Sequence, residues 1–190
     1  MKILQIGCHT GNDHVYHFIT ENSNNIEKLY LIDANIYSLN ECKNNYANVD
    51  NVNFLNYAIT PTDVEYIDIV LPANELTSSH VSVFESHLHQ HNHNNLIKQK
   101  VKAVNINKLF EELNLSVIDR FYIDTEGLDV QIINSIDFSK IDIKILMFEF
   151  IHSDGTLSWG GINLHNCLMK LLNLGYSIIK EEYNIIATKQ

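Results

Sequence analysis

One arginine, two prolines, seven glycines and three cysteines are all that this chain of 190 residues holds of those types, and each scarcity excludes something. Arg120 stands alone, and 13 basic residues face 23 acidic ones for a net charge of -10. Nucleic-acid affinity is built from clustered Lys and Arg, so with no basic stripe a nucleic acid is not expected as partner, and a small or neutral acceptor is. Cys8, Cys42 and Cys167 are odd in number and widely spaced. They fit neither a disulfide framework nor a Cys-x-x-Cys zinc site and point to a reducing compartment. No apolar run approaches the ~18 residues of a membrane span, and Met1-Lys2 leads straight into a short strand, with no secretory leader. A soluble, cytoplasmic protein away from membranes is the expectation. What is present is 45% hydrophobic and 19% charged residues, the composition of an ordered globular chain. A single domain over 1–190 is expected, burying roughly 70% of its unfolded surface.

Short apolar runs alternate with helical periodicities along the chain. Ile3 to Ile6 reads as a buried strand, and His14 to Thr20 carries Val15, Phe18 and Ile19 at helical spacing. Leu29 to Ile32 is a second strand ending at Asp33, and Ile36, Leu39 and Cys42 mark the next helix before a third strand at Val52 to Leu55. This is the mark of an α/β fold with a mostly parallel, doubly wound, Rossmann-like sheet. Val64 to Leu71 follows a Thr-Pro-Thr-Asp turn and reads as an added hairpin strand. From Pro72 to Lys100 the apolar period fails, which suggests a mobile, lid-like insertion at 72–100. Val101 to Val104 is strand-like, Ile106, Leu109, Phe110 and Leu113 form one helix face, and Phe121 to Ile123 is another strand. After a helix carrying Val130, Ile133 and Ile136 comes a strand at Ile145 to Phe148, ending at Glu149. A final helix from Ile162 to Leu174 stops at Gly175, a candidate left-handed cap, and Tyr176–Ile179 with Ile185–Thr188 predicts a terminal antiparallel hairpin.

Two strand ends carry the chemistry, because ligands in open α/β sheets collect at the carboxyl ends of the strands. The first strand runs into Gly7-Cys8-His9-Thr10-Gly11, a glycine turn in front of a helix N-terminus. The dinucleotide fingerprint needs a third glycine that is absent here, which disfavours a nicotinamide dehydrogenase. Asp33, 22 positions after Gly11, can accept both hydroxyls of a ribose, and the pair implies an adenosine-containing cofactor. At the later strand, Phe121-Tyr122-Ile123-Asp124-Thr125-Glu126-Gly127 stops at two carboxylates. Glu126 could merely cap the following helix. Alternatively Asp124, Glu126, Asp129 and Glu149 gather charge, raise one another's pKa and supply a general base. Hard cations also favour carboxylate oxygens, so a metal site is open here, although no metal ligand is assigned.

The histidines divide into two groups. His87, His89, His91 and His93 alternate, so they share one face only in an extended segment, and their Asn-rich setting suggests a solvated loop in preference to a metal site. His152 follows Glu149 and is a candidate base or acceptor-binding group, or a plain loop histidine. Trp159-Gly160-Gly161 is either acceptor wall or turn, and Cys8 reads as a packing residue with no partner base.

Leu4 to Asn12, Asn56-Tyr57-Ala58-Ile59, Tyr122 to Gly127 with Asp129, and Met147-Phe148-Glu149-Phe150 together resemble the motifs of the FkbM family of S-adenosylmethionine-dependent methyltransferases, over nearly the whole length. The resemblance implies the class I methyltransferase fold, seven strands with a reversed last one. It also implies S-adenosylmethionine as cofactor and methyl transfer to a hydroxyl of a sugar, glycan or small natural product. By position, Gly7, Cys8 and Gly11 would line the methionine part, Asp33 with Ala34 the ribose, and Asn56, Tyr57 and Ala58 the adenine. Asp124 would face the methionine end and the acceptor, with Glu126 beside it. Gln5 departs from the family, whose first motif often has an acid there, and the chain opens at the first strand without an N-terminal cap over the acceptor. Those departures motivate an alternative reading as a catalytically degenerate cofactor-binding or scaffold domain.

Overall fold

The structure is a computed structural model that describes residues 1–154 and 160–190. Trp159 of the Trp-Gly-Gly candidate lies outside the described residues.

Seven strands form the main sheet: β1 (Lys2–Ile6), β2 (Lys28–Ile32), β3 (Val52–Leu55), β7 (Val117–Ile123), β8 (Asp142–Glu149), β9 (Tyr176–Glu181) and β10 (Asn184–Lys189). Their order is β3-β2-β1-β7-β8-β10-β9. The five strands from β3 to β8 are parallel, and β10 runs antiparallel to both β8 and β9. The doubly wound reading with its terminal hairpin is what the chain adopts. Strands buried on both faces explain the continuous apolar runs: Ile3, Leu4, Leu29, Leu31, Ile32 and Phe121 are fully buried. Helices α1 (His14–Glu21) and α2 (Ile36–Asn45) cover one face, where Val15, Ile19, Leu39 and Cys42 meet Ile3, Leu29 and Leu31. Helices α4 (Ile106–Glu112), α5 (Asp129–Ser135) and α6 (Ile162–Asn173) cover the other, with Leu109, Phe110, Ile133 and Leu171 against Leu4, Phe121 and Leu146.

The helix starts are written locally. Asp13 caps α1 by accepting from the Tyr16 N–H, Asn35 caps α2 through the Tyr37 N–H, and Asn105 caps α4 through the Asn107 N–H. The α6 N–H groups of Asn163 and Leu164 are instead met by the distant carboxylate of Asp154, at 2.8 and 3.2 Å. At its other end Gly175 takes φ +86°, the left-handed conformation expected of it.

Two expectations for the middle of the chain need correction. Val64 to Leu71 does form a hairpin strand, β5 (Tyr66–Pro72), but it joins a second sheet, β4-β6-β5, with β4 (Ala58–Thr60) and β6 (Leu96–Asn105). Strand β6 begins well before Val101, so the tail of the supposed loop is ladder-paired to β5. Between them lies α3 (Glu85–Gln90), so 72–100 is no structureless loop. Helical geometry brings His87 and His91 to one side, four residues apart, and His87 is fully buried. The run is helical where an extended one is expected, and His87 leaves solvent while His89 and His91 stay exposed.

Candidate active site

Where β1 and β7 lie side by side their carboxyl ends nearly touch. The Asp124 N–H donates to the Ile6 carbonyl at 3.0 Å, and the Gly7 N–H donates to the Ile32 carbonyl of β2 at 2.8 Å. Gly7 has φ +75°, and a Cβ on it would stand 1.6 Å from the Asp124 carbonyl oxygen. Only glycine fits this crossing.

A cavity of about 210 Å³ opens here, walled by Gly7, Asp33, Ala34, Tyr57, Ala58, Asp124 and Glu126 among others. All seven are candidates from the sequence. Cys8, Gly11, Asn56 and His152 are candidates too, and they do not line it. Cys8 is wholly buried in the core beneath α1 and α2. Its thiol is pushed up by a hydrogen bond to Cys42 and by burial, so it is a packing group. Gly11 faces α2, where a Cβ would meet Cys42 Sγ and the Tyr46 ring at 2.7 Å. Asn56 stands behind the wall, its Nδ2 donating to the carbonyls of Asp33 and Ala34 at 2.8 and 3.0 Å.

Asp33 is held by two backbone donors, His9 N–H to Oδ2 and Asn35 N–H to Oδ1, both at 2.7 Å. Burial raises its pKa, while the bonds from Asn35 and His9 lower it. His9 was not anticipated, although its place at the centre of Gly7-x-x-x-Gly11 is a signal. Its φ is +47°, and its ring Nε2 lies 2.6 Å from the Thr77 carbonyl. A carbonyl only accepts, so that nitrogen carries the proton. Asn35 Nδ2 likewise donates to the Leu76 carbonyl at 2.7 Å, and Ser82 Oγ to the Glu126 carbonyl at 2.8 Å. Three bonds thus pin the 72–95 segment over the turns after β1, β2 and β7.

The β7 turn is built by Asp129, not by Glu126. Asp129 accepts from the Thr125 N–H and hydroxyl and from the Gly127 N–H, and no side chain caps α5. The capping alternative for Glu126 is therefore not realised. Glu126 takes φ +53°, a conformation uncommon for a non-glycine residue and worth a functional question. Its Oε2 lies 2.8 Å from His87 Nε2.

Gln5, where an acid was missing, is buried and donates from Nε2 to Asp13 Oδ2 at 2.8 Å. Asp13 itself lines the cavity. A carboxylate is thus present at this wall, supplied by the cap of α1.

Charge is concentrated at these strand ends. Asp124 is pushed well above the usual carboxylate range by the protein walls around it, then by Glu126, Asp129 and Asp13. The side chain remains exposed through the cavity mouth, so the repulsion among neighbours is the firmer cause. Glu126 is pushed up to about 8 by burial and then by Asp129. Glu149 is pushed up to about 9 by burial and then by Asp124, Glu126 and Asp129.

A stability prediction follows with a definite sign. Glu126 and Glu149 bind protons more tightly folded than unfolded, so stability falls as pH rises from about 5 towards 9. His80, lowered to about 4 by burial and then by His91, His93 and His87, acts oppositely. Its contribution is lost as pH falls from about 6.5 towards 4. Two carboxylates outweigh one imidazole, so the urea midpoint should decline from about pH 5 towards pH 9. At pH 8.5, Glu149→Gln should raise Tm by about 2–4 °C, the effect of ~1 kcal/mol in a chain of this size after allowing for solvent screening. No gain at pH 8.5 relative to pH 5 would refute the assignment.

A parallel sheet ordered in this way, with a glycine crossing, a ribose-type acid after β2 and acids after the neighbouring strand, defines a class I S-adenosylmethionine-dependent methyltransferase fold. The Methyltransferase FkbM domain family model matches residues 5–178, and the chain belongs to that family. Among solved structures, the chain is similar to the FkbM methyltransferase of Methylobacillus flagellatus KT, with TM-score 0.57 and 10% identity over 98% of this chain and 43% of that one. It is similar to TrmK of M. capricolum in complex with S-adenosyl-homocysteine, with TM-score 0.50 and 14% identity over 100% of this chain and 62% of that one. A fibrillarin/Nop5p complex matches with TM-score 0.54 and 10% identity over 100% of this chain and 72% of that one. At these identities the likeness establishes fold alone. The chain spans less than two thirds of the TrmK and Methylobacillus chains. No curated protein matches it significantly. Among the described residues no helix is long and apolar enough to cross a membrane.

Proposed function

We propose that this chain is an O-methyltransferase that moves the methyl group of S-adenosylmethionine to a hydroxyl of a sugar, glycan or small natural product, as a single domain in the cytoplasm. One observation carries the reading: Gly7, Asp33, Asp124 and Glu126 wall the same cavity at the carboxyl ends of three adjacent strands.

The residues suit the cofactor. Backbone approaches closely at Gly7, where any side chain would fill the crossing. A carboxylate offers about four lone-pair sites, and Asp33 uses one per oxygen on backbone N–H groups, which leaves it able to accept two ribose hydroxyls. Ala34, Tyr57 and Ala58 supply an apolar wall for the adenine. Asp13 and Asp124 supply negative charge for the ammonium and sulfonium ends, where Gln5 itself cannot. Asn56 supports this wall from behind through the Asp33 and Ala34 carbonyls. When bound, S-adenosylmethionine supplies an electrophilic methyl group on a positive sulfur.

The chain's own part is alignment, exclusion of water and acceptance of a proton. Asp124 or Glu126 takes the acceptor hydroxyl's proton as the oxygen attacks, and His152, placed beside Glu126 and Glu149, orients the acceptor. Raised pKa values near working pH are what a general base needs. The segment pinned by His9, Asn35 and Ser82 keeps solvent from the cavity.

Calorimetry with S-adenosylhomocysteine, followed by transfer of labelled methyl to a library of sugars and hydroxylated natural products, tests this. Binding together with transfer to oxygen is expected. Binding without transfer to any acceptor would favour the degenerate cofactor-binding domain, and transfer only to nitrogen or carbon would overturn the O-methyl assignment.

A further inference from the structure

We propose that His87, His91 and His152 form a binding site for a divalent transition-metal ion of the zinc type, with Glu126 and Glu149 as adjoining carboxylate donors. The site ties the α3 segment to the end of β8. It does not require methyl transfer, and where the ion is bound Glu126 and His152 serve as its ligands and Asp124 remains as the base.

The three histidines each offer a ring nitrogen, and these atoms lie within 4.8 Å of one another. Glu126, Glu149 and His152 form a second such group, so the two sets share His152, and the 2.8 Å between His87 Nε2 and Glu126 Oε2 links them a second time. Bonds of about 2.0–2.1 Å from zinc to histidine nitrogen place tetrahedral ligands about 3.4 Å apart. Small side-chain rotations close the difference. His87 and His91 are four residues apart on α3 and its cap, the spacing at which two histidines share one face and ligate one ion.

His87 carries the inference furthest. It is wholly buried, and neither ring nitrogen has a hydrogen-bond partner. Nε2 stands 2.8 Å from Glu126 Oε2, but not along the direction of a ring N–H bond. Buried imidazoles are normally satisfied. A cation held by both atoms, once they part from 2.8 Å to the roughly 3.4 Å of two zinc ligands, would satisfy this nitrogen and the carboxylate and neutralise part of the acidic crowding at Glu126 and Glu149. The outer layer is consistent with ligation. His80 stacks on His91 with ring centres 3.8 Å apart and 14° between planes. Its Nδ1 lies 3.1 Å from His93 Nε2. The stack holds the His91 ring in place, and His93 steadies His80 behind it. Mixed nitrogen and carboxylate donors suit zinc-type ions better than calcium or magnesium, which prefer oxygen alone.

The test is a titration of the chelator-stripped full chain with ZnCl2 alone, by calorimetry, and with CoCl2, by visible absorption. One equivalent is expected to bind, with intense cobalt bands of a four- or five-coordinate ion. His91→Ala, at an exposed position whose replacement leaves the core intact, should weaken zinc binding at least 100-fold, as should His87→Gln in any preparation that keeps its circular dichroism. His89→Ala, in the same helix but outside the cluster, should change it less than about twofold. Equal loss in His89→Ala and His91→Ala, or weak binding with an octahedral cobalt spectrum, would overturn the site. S-adenosylhomocysteine affinity measured in the presence of chelator separates the two ideas, because that binding can persist when the metal site is wrong and fail when it is right.

Discussion

Gly7→Ala should remove cofactor binding and unfold the chain at or below 37 °C. The added Cβ would sit 1.6 Å from the Asp124 carbonyl oxygen and 2.7 Å from its carbonyl carbon, and these are backbone atoms that no rotamer change can move aside. Neither partner can retreat. Asp124 is anchored by its N–H to Ile6, and Gly7 by its N–H to Ile32, so separating them means parting β1 from β7 at the centre of the main sheet. The φ of +75° adds a second penalty for any residue with a side chain. Together these place the loss at on the order of 3–5 kcal/mol, at the severe end for single substitutions. Urea denaturation measures the stability term, and calorimetry with S-adenosylhomocysteine on any folded fraction measures the rest. Gly11→Ala is the informative comparison. Its φ of +67° carries the same conformational penalty, but its obstacles are the buried Cys42 and Tyr46 side chains and not the backbone of the central sheet, so it should be milder and leave ligand affinity nearly intact. Equal damage from the two would mean that the β1–β7 crossing has no special place in the site.

Much of this was legible in the chain because buried parallel strands write themselves as unbroken apolar runs, and acids just after such runs have nowhere to face but the crevice. Asp33, Asp124 and Glu126 were found on that basis. The packing role read for Cys8 is what forms, whereas the cofactor-lining role that the resemblance implies for Cys8 and Gly11 is not, because a shared motif does not say which way each residue points. Cys8 and Gly11 turn towards α2, whereas His9 between them turns towards the cavity. The β4-β6-β5 sheet was hidden because half of β6 is Lys- and Gln-rich and lies outside the apolar period. Helix α3 was missed for a related reason. Its buried side consists of His87 and Leu88, and a histidine does not register as apolar in a hydrophobic pattern. Gln5 looked like a loss when judged alone. Its hydrogen bond to Asp13 shows the carboxylate placed eight residues later, a substitution visible only once the α1 cap folds back to β1.

The second large effect is expected from Asp124→Asn, which should lower turnover by about 10²–10⁴-fold, the usual worth of a positioned general base, while S-adenosylhomocysteine affinity stays within about threefold. Asparagine keeps the size of the side chain and the backbone crossing with Gly7. What it removes is a charge and a proton acceptor. The product cofactor carries no positive sulfur and its ammonium keeps the Asp13 carboxylate, so its affinity is largely spared the charge lost at Asp124, and the two measurements separate binding from chemistry. Stability should rise slightly, since Glu126, Asp129 and Asp13 lose a repelling neighbour. Glu126→Gln distinguishes the two candidate bases. With Glu126 raised to about 8, only its ionised form can accept a proton, so if it is the base the rate climbs with pH to a plateau above 8, and the Gln variant loses that limb. If Asp124 is the base, the limb survives in Glu126→Gln and shifts downward, because removing the Glu126 charge lowers the Asp124 pKa. Unchanged turnover in Asp124→Asn together with an unchanged pH profile in Glu126→Gln would mean that neither carboxylate takes the proton, and that alignment and exclusion of water alone drive the transfer.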